Sequence, residues 1–175
     1  MQTDVAIFGS GCFWCSEAVF ASLRGVLSVM PGYAGGQTLD PTYDHVCSGE
    51  TGHAEVLRVE FDPAKISYDD LLTVFFASHN PTTLNRQGND VGTQYRSIIL
   101  TMNDEQARFA HAFIQKLNLD GEQVVTEIAP LEKFYEAEAY HHHYFERNPE
   151  KAYCQFVINP KLEHVRKKFS ELMEG

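Results

Sequence analysis

A chain of 175 residues, 43% hydrophobic and 22% charged, is enough for one domain spanning residues 1–175, and at this size about 70% of the unfolded surface is buried on folding. Disorder, low complexity and a second large module are excluded. Twenty-four acidic residues face fourteen basic ones, a formal charge of -10; that field repels phosphate backbones and anionic lipid, so neither nucleic acid nor a membrane is expected as a partner.

The start, Met1-Gln2-Thr3-Asp4, carries no basic region, and the apolar stretch Val5 to Phe8 is too short for a secretory signal or a membrane span. A cytoplasmic protein is expected. In a reducing compartment its four cysteines, Cys12, Cys15, Cys47 and Cys154, read as catalytic or metal-binding rather than as structural bridges.

Val5 to Phe8 predicts a short strand that stops at Gly9-Ser10-Gly11, and apolar residues then recur with helical spacing from Phe13 to Leu23. Gly25 closes that helix and Val26 to Met30 predicts a strand. Pro31-Gly32-Tyr33-Ala34-Gly35-Gly36 and Asp40-Pro41-Thr42-Tyr43 are rich in turn formers and predict a long functional loop. Alternation from Ala54 to Phe61 predicts a half-buried strand ended by Asp62-Pro63, and Ser67 starts a helix whose buried face is Leu71, Leu72, Val74, Phe75 and Phe76. After a loop from His79 to Thr93 come a strand from Tyr95 to Met102, a helix capped by Asn103 and running to about Leu117, and a strand from Val124 to Ile128. Beyond Pro130 lie aromatic residues and histidines, then a basic helix from about Pro160 to Met173. The order predicts a two-layer α+β sandwich with a ferredoxin-like, split βαβ core, long loops and an irregular C-terminal segment, rather than a doubly wound parallel sheet.

Cys12 follows a glycine turn and opens a helix, where free backbone amides and the helix dipole favour a thiolate and lower a thiol pKa. Cys12-Phe13-Trp14-Cys15 is a C-x-x-C at a helix start, the pattern of thiol-disulfide oxidoreductases, but its two central residues are bulky and aromatic. Phe13 and Trp14 suit the wall of an apolar substrate pocket, with core packing as the alternative. His141-His142-His143 with Cys154 is the obvious metal candidate, yet consecutive helical residues point about 100° apart and cannot all face one ion. No metal is expected, and the histidines read as facing solvent or a partner.

Gly11-Cys12-Phe13-Trp14-Cys15-Ser16-Glu17 resembles the signature of the peptide methionine sulfoxide reductase A family. So do Gly32-Tyr33-Ala34-Gly35-Gly36, Pro41-Thr42-Tyr43, Cys47-Ser48-Gly49-Glu50-Thr51-Gly52-His53-Ala54-Glu55, Gln87 to Ser97, and Asn148-Pro149 with Tyr153-Cys154. The resemblance implies reduction of methionine S-sulfoxide, protein-bound and free, through attack of Cys12 on the sulfoxide sulfur and a Cys12 sulfenic acid. Glu55 matches the family's proton donor, Tyr43 and Tyr95 its hydroxyl donors, and Asp90 a residue that helps arrange the site. Phe13 and Trp14 would clasp the substrate methyl group. Position 15 is more often glycine in the family, and its cysteine here opens the choice of resolving thiol. Cys154 is expected in that role, with Cys15 as the alternative: the family places a recycling cysteine near Cys154, in a segment without strong periodicity that can swing. Cys47 belongs to a string that looks structural and is expected to be buried. The reductant implied is thioredoxin, or dithiothreitol in vitro, with no bound cofactor and a monomeric enzyme. The rival readings are thioredoxin-like disulfide exchange through Cys12 and Cys15, and a peptide-binding module without chemistry.

Overall fold

The computed structural model describes residues 2–173. In chain order the elements are β1 (Asp4–Ser10), α1 (Phe13–Ala21), β2 (Val26–Ala34), α2 (Tyr43–Cys47), β3 (Ala54–Phe61), α3 (Tyr68–Ala77), β4 (Arg86–Gln87), β5 (Asp90–Val91), β6 (Ser97–Thr101), α4 (Asp104–Leu119), β7 (Glu127–Pro130), β8 (Phe134–Glu136), α5 (Tyr144–Arg147) and α6 (Asn159–Lys168). Six strands form one sheet in the order β7-β6-β1-β3-β2-β8, and β4 and β5 form a separate hairpin. Every neighbouring pair in the large sheet is antiparallel except β6 and β7.

Strand alternation sorts the apolar residues onto two faces. Ala6 and Phe8 of β1, Leu57, Val59 and Phe61 of β3 and Ile99 of β6 pack against Val19 and Phe20 of α1, Leu71, Leu72 and Phe75 of α3, Ala110 of α4 and Val165 of α6. Phe8 stacks on both Phe20 and Phe75, with centroids 5.4 and 5.0 Å away. The opposite face carries Ile7, Ala34, Ala54, Val56, Ile98 and Leu100, with Leu131 and Phe134 packed against them. The helices start where the sequence supplies caps: Ser67 and Asp70 form a reciprocal capping box on α3, and Asn103 accepts from the Gln106 amide on α4.

Several expectations are corrected. Pro31-Gly32-Tyr33-Ala34 is strand, not loop, because β8 adds to the outer edge of β2 and supplies partners for these residues. Gly32 is required there: a Cβ would overlap the Tyr135 carbonyl and the Phe134 ring. The strand expected from Val124 begins only at Glu127, and Tyr95 lies in a 3-10 turn before β6. Residues 131–153 are irregular, with only short pieces of strand and helix, but Cys154 does not lie in a loose segment. A π-helical turn, Cys154–Ile158, runs directly into α6, which ends at Lys168 rather than Met173. Pro160 has no N–H to offer the preceding turn, and the wider winding accommodates its ring.

Candidate active site

The turn Gly9-Ser10-Gly11 carries the chain from the end of β1 into α1, and Gly11 adopts a φ of +96 that L side chains rarely take. Cys12 is the N-cap of α1 but makes no side-chain cap bond. The free helix amide at Phe13 is taken instead by Glu55, whose Oε1 accepts from it at 3.2 Å. Glu55 sits on β3 on the helix-bearing face, 1% exposed, and its Oε2 has no hydrogen-bond partner among the described residues. Burial pushes its pKa up to about 8, against the pull of the Phe13 amide. The acid is therefore mostly protonated at neutral pH.

The Cys12 thiol is raised well above its ordinary value, by burial first and by the neighbouring Glu55 and Cys15 second. This overturns the expectation of a lowered pKa. Desolvation outweighs the Trp14 amide and the Tyr153 hydroxyl, which pull the thiol the other way, and the Phe13 amide is occupied by Glu55.

On one side of Cys12 lie aromatic rings. Phe13, Tyr33, Val46 and Ala137 form a buried cluster with Trp14 and Tyr43 against it. Tyr43 opens α2 and is held by Glu138, whose two carboxylate oxygens accept from the Tyr33 hydroxyl at 2.7 Å and the Tyr43 amide at 2.8 Å. Burial and then the Glu55 charge raise the pKa of both Tyr43 and Tyr95, so both hydroxyls keep their protons. Trp14 stacks face to face on Tyr144 at 3.7 Å, and its indole N–H donates to His141 Nδ1 at 3.0 Å. That bond fixes the His141 tautomer: Nε2 bears the proton, and this buried atom has no partner among the described residues.

On the other side lie the remaining thiols. Tyr153 donates its hydroxyl proton to Asp90 Oδ2 at 3.0 Å, which leaves its oxygen to accept from the Cys15 thiol at 3.5 Å. Cys15, Cys154 and Ile158 form one packed cluster, with Tyr153 and Trp14 around it. Glu17 ties this region to α1, accepting from the backbone amides of His143 at 2.9 Å and Tyr144 at 3.1 Å. A cavity of about 280 Å³ opens between Gln87 to Asp90 and the C-terminal helix, with Cys12 and Cys15 on its wall.

Cys12, Glu55, Tyr43, Tyr95, Phe13 and Trp14 thus surround one centre, while Asp90 reaches it through Tyr153. Cys154 stands beside Cys15, fully buried in helical backbone rather than in a loose segment. Cys47 is exposed, not buried, and its thiol lies against the Tyr43 hydroxyl. The histidine run does not behave as one unit either: His141 is 0% exposed among Phe13, Tyr43 and Tyr140, while His143 is over half exposed. Glu138, which no motif marks, and His141, Tyr153 and Glu17, to which the motifs assign no role, also brace the site. The one signal for His141 was Trp14, whose buried indole N–H needs an acceptor. Among the described residues no group of three or more His, Cys, Asp or Glu is placed to hold a metal ion, and no helix is long and apolar enough to cross a membrane.

The chain as a whole is similar to known proteins. A protein of Acinetobacter baumannii (strain AYE) called peptide methionine sulfoxide reductase MsrA is 55% identical over 170 residues, 97% of this chain and 98% of its own. The crystal structure of reduced Mxr1 from Saccharomyces cerevisiae superposes with a TM-score of 0.79 at 34% identity, covering 87% of this chain and 90% of that one. Mxr1 in complex with Trx2 matches at a TM-score of 0.55 and 25% identity, over 82% and 85% of the two chains. The family profile described as peptide methionine sulfoxide reductase matches residues 4–173, so nearly the whole chain, including both sides of Cys12, belongs to the peptide methionine sulfoxide reductase family.

Proposed function

We propose that this protein reduces methionine S-sulfoxide, protein-bound and free, and is recycled by thioredoxin. Cys12 attacks the sulfoxide sulfur while Glu55 gives its proton to the oxygen. The hydroxyl then passes to the Cys12 sulfur as the new sulfur–sulfur bond and the S–O bond to the substrate break, which leaves a sulfenic acid on Cys12 and releases methionine; the thiol proton of Cys12 replaces the one Glu55 gave. Tyr43 and Tyr95 donate hydrogen bonds to the oxygen as charge develops on it, and Asp90 holds Tyr153 beside the reacting thiol. Phe13 and Trp14 wall the methyl group and select the S epimer. A second cysteine then displaces water from the sulfenic acid to form a disulfide, which thioredoxin reduces.

The observation that carries this reading is Glu55: a buried acid with a pKa of about 8 and a free Oε2, next to the thiol at the helix start. Sulfoxide oxygen does not leave until it is protonated, whereas a thiolate leaves a disulfide without prior protonation, so a proton donor in this place favours the sulfoxide reaction. The yeast relative's complex with Trx2 supports the reductant. The four central strands in the order β6-β1-β3-β2, with α1 and α3 as crossings, support a ferredoxin-like core in a single domain. Four free thiols suit a reducing cytoplasm, and the same reading takes the enzyme as a monomer.

Cys12→Ser tests the proposal. Sulfoxide reduction is expected to vanish while the fold survives; retained turnover overturns it. Insulin reduction measured beside sulfoxide reduction excludes the disulfide exchanger if only the latter is catalysed.

A further inference from the structure

We propose that a cavity of about 600 Å³ beside the reactive one is a second subsite, which seats an apolar side chain of the polypeptide close in sequence to the oxidised methionine. The inference rests on the sulfoxide reading above and deepens it by naming a substrate class: locally unfolded chain with an apolar residue near the sulfoxide.

The two cavities adjoin. Gln87 and Lys161 stand on the wall of both, the one of about 280 Å³ that holds Cys12 and the one of about 600 Å³. A sulfoxide sulfur in contact with Cys12 is only three bonds from its own backbone, and an extended chain advances about 3.3–3.6 Å per residue. Residues within a few positions of the methionine therefore stay within reach of the larger cavity. The smaller one falls just under the usual range of ligand cavities, about 300–1,000 Å³, and leaves little room for them, whereas the larger lies inside that range.

The walls suit an apolar side chain. Phe76 and Leu117 offer their surface from α3 and α4, and Pro81 and Pro160 offer theirs from the loop after α3 and the first turn of α6. His79 on the same wall carries no charge: burial pushes its pKa down to about 3, its Nδ1 donates to the Phe75 carbonyl and its Nε2 accepts from the Ser97 hydroxyl at 2.8 Å. Lys161 and His164 are accompanied by Glu122, so both signs of charge are present and apolar bulk is what the cavity selects. The boundary is also fixed in advance. The Gln87 side chain donates to the Asn80 carbonyl and accepts from the Asn80 amide, each at 2.9 Å, and the Pro81 carbonyl accepts from the Val125 amide at 2.8 Å. A Cβ on Gly11 would come within 2.8 Å of Gln87, so the residue common to both cavities packs on the turn that carries Cys12. Walls held this way lower the ordering cost of binding.

Oxidation itself supplies the occupant. Methionine fills apolar cores and interfaces, and its sulfoxide is polar, so oxidation disrupts that packing and exposes the apolar residues around it. An enzyme that meets damaged chain meets the sulfoxide and such residues together. Free methionine sulfoxide has no flank, so the subsite adds to the rate only for polypeptides.

The experiment follows the methionine burst, the sulfide formed in one turnover without reductant, so that recycling does not enter. Substrates at limiting concentration are capped glycine–serine peptides with one methionine sulfoxide and one leucine, the leucine moved from three residues before the sulfoxide to three after. The leucine-free peptide and free methionine sulfoxide are measured beside them. With wild type, leucine in at least one position is expected to raise the burst rate constant by about 10-fold or more, as burial of one leucine side chain provides. Leu117→Asp on α4 and Pro160→Asp on α6 are expected to lose most of that gain and to favour lysine over leucine at the same position, while free methionine sulfoxide reacts as with wild type. The gain for lysine and the unchanged free reaction show that the variants are folded. A wild type indifferent to leucine at every position, or the full leucine gain kept in both variants, overturns the subsite and leaves the sulfoxide reaction standing. No burst from wild type with free or peptide-bound sulfoxide overturns the underlying reaction instead.

Discussion

The aromatic side of Cys12 is held by short, charge-assisted bonds from the Tyr33 hydroxyl and the Tyr43 amide to Glu138 at 2.7 and 2.8 Å, and by a 3.2 Å bond from the Phe13 amide to Glu55. The thiol side is braced at its back by Glu17, which accepts from the His143 and Tyr144 amides at 2.9 and 3.1 Å, but around the sulfur of Cys15 there is only a 3.5 Å contact with the Tyr153 hydroxyl, which itself donates to Asp90 at 3.0 Å. Oxygen transfer needs donors fixed before the substrate arrives, because reorganising them would add to the barrier. Disulfide exchange needs sulfur atoms to change partners, and loose contacts around the cysteines permit that. The difference teaches that one helix start serves two reactions by fixing the first environment and leaving the second adjustable.

The largest expected effect breaks the fixed side. Glu55→Gln should slow sulfenic acid formation by about 10²–10⁴-fold with sulfoxide binding little changed, measured by single-turnover kinetics beside equilibrium binding. Loss of binding in proportion to rate would reassign Glu55 to positioning. In the wild type the same step should slow as pH rises through about 8, where Glu55 gives up its proton, and the glutamine variant should lack that fall. Stability follows the same sign. The folded pKa lies above the ordinary carboxylate value, so Glu55 contributes stability that is present below about 4.5 and is lost as pH rises through about 8. Thermal melts of wild type and Glu55→Gln should diverge over that window, with the wild type declining.

His141→Phe keeps a ring among Phe13, Trp14 and Tyr43 but removes the acceptor for the Trp14 indole. An unpaired buried donor costs about 1–3 kcal/mol, expected as a lower Tm and a raised KM for methionine sulfoxide. An unchanged KM would show that the indole needs no anchor. Gly32→Ala should push β8 off the sheet edge, since its Cβ meets Tyr135 and Phe134; overpacking of this kind costs about 1–3 kcal/mol. Because β8 leads into Glu138, KM should rise with the loss of stability. Glu17→Gln is the smallest change: it keeps one acceptor for the C-terminal amides and loses the other, about 1 kcal/mol. Its effect should fall on disulfide exchange more than on the methionine burst, which separates the two sides directly.

The first hundred residues were legible because their chemistry is local: a glycine turn, a helix start, a capping box, an alternating strand. Glu55, Tyr43 and Tyr95 were readable as candidates through the motif strings that carry them. What stayed hidden depends on contacts across the chain. Periodicity cannot say which of three adjacent histidines turns inward; the Trp14 indole, 127 residues away, decides that. Nor can the position of Cys12 at a helix start reveal that the folded chain buries it beside Glu55 and Cys15, which is why its thiol rises instead of falling. Pro31-Gly32 reads as a turn until β8 lies alongside it.

Glu17 has a consequence for how the enzyme is made. Its two partners lie 126 and 127 residues further along the chain, so they leave the ribosome long after α1, and contacts of such separation form late in folding. A nascent chain holding only the first helix and strands has Cys12 and Glu55 but no Glu138, His141 or Tyr153 around them. The chamber that binds sulfoxide is then unfinished, and reactivity arrives with the last quarter of the chain. Synthesis is thereby its own safeguard: the growing polypeptide carries Cys12 without the walls that would commit it to oxidation.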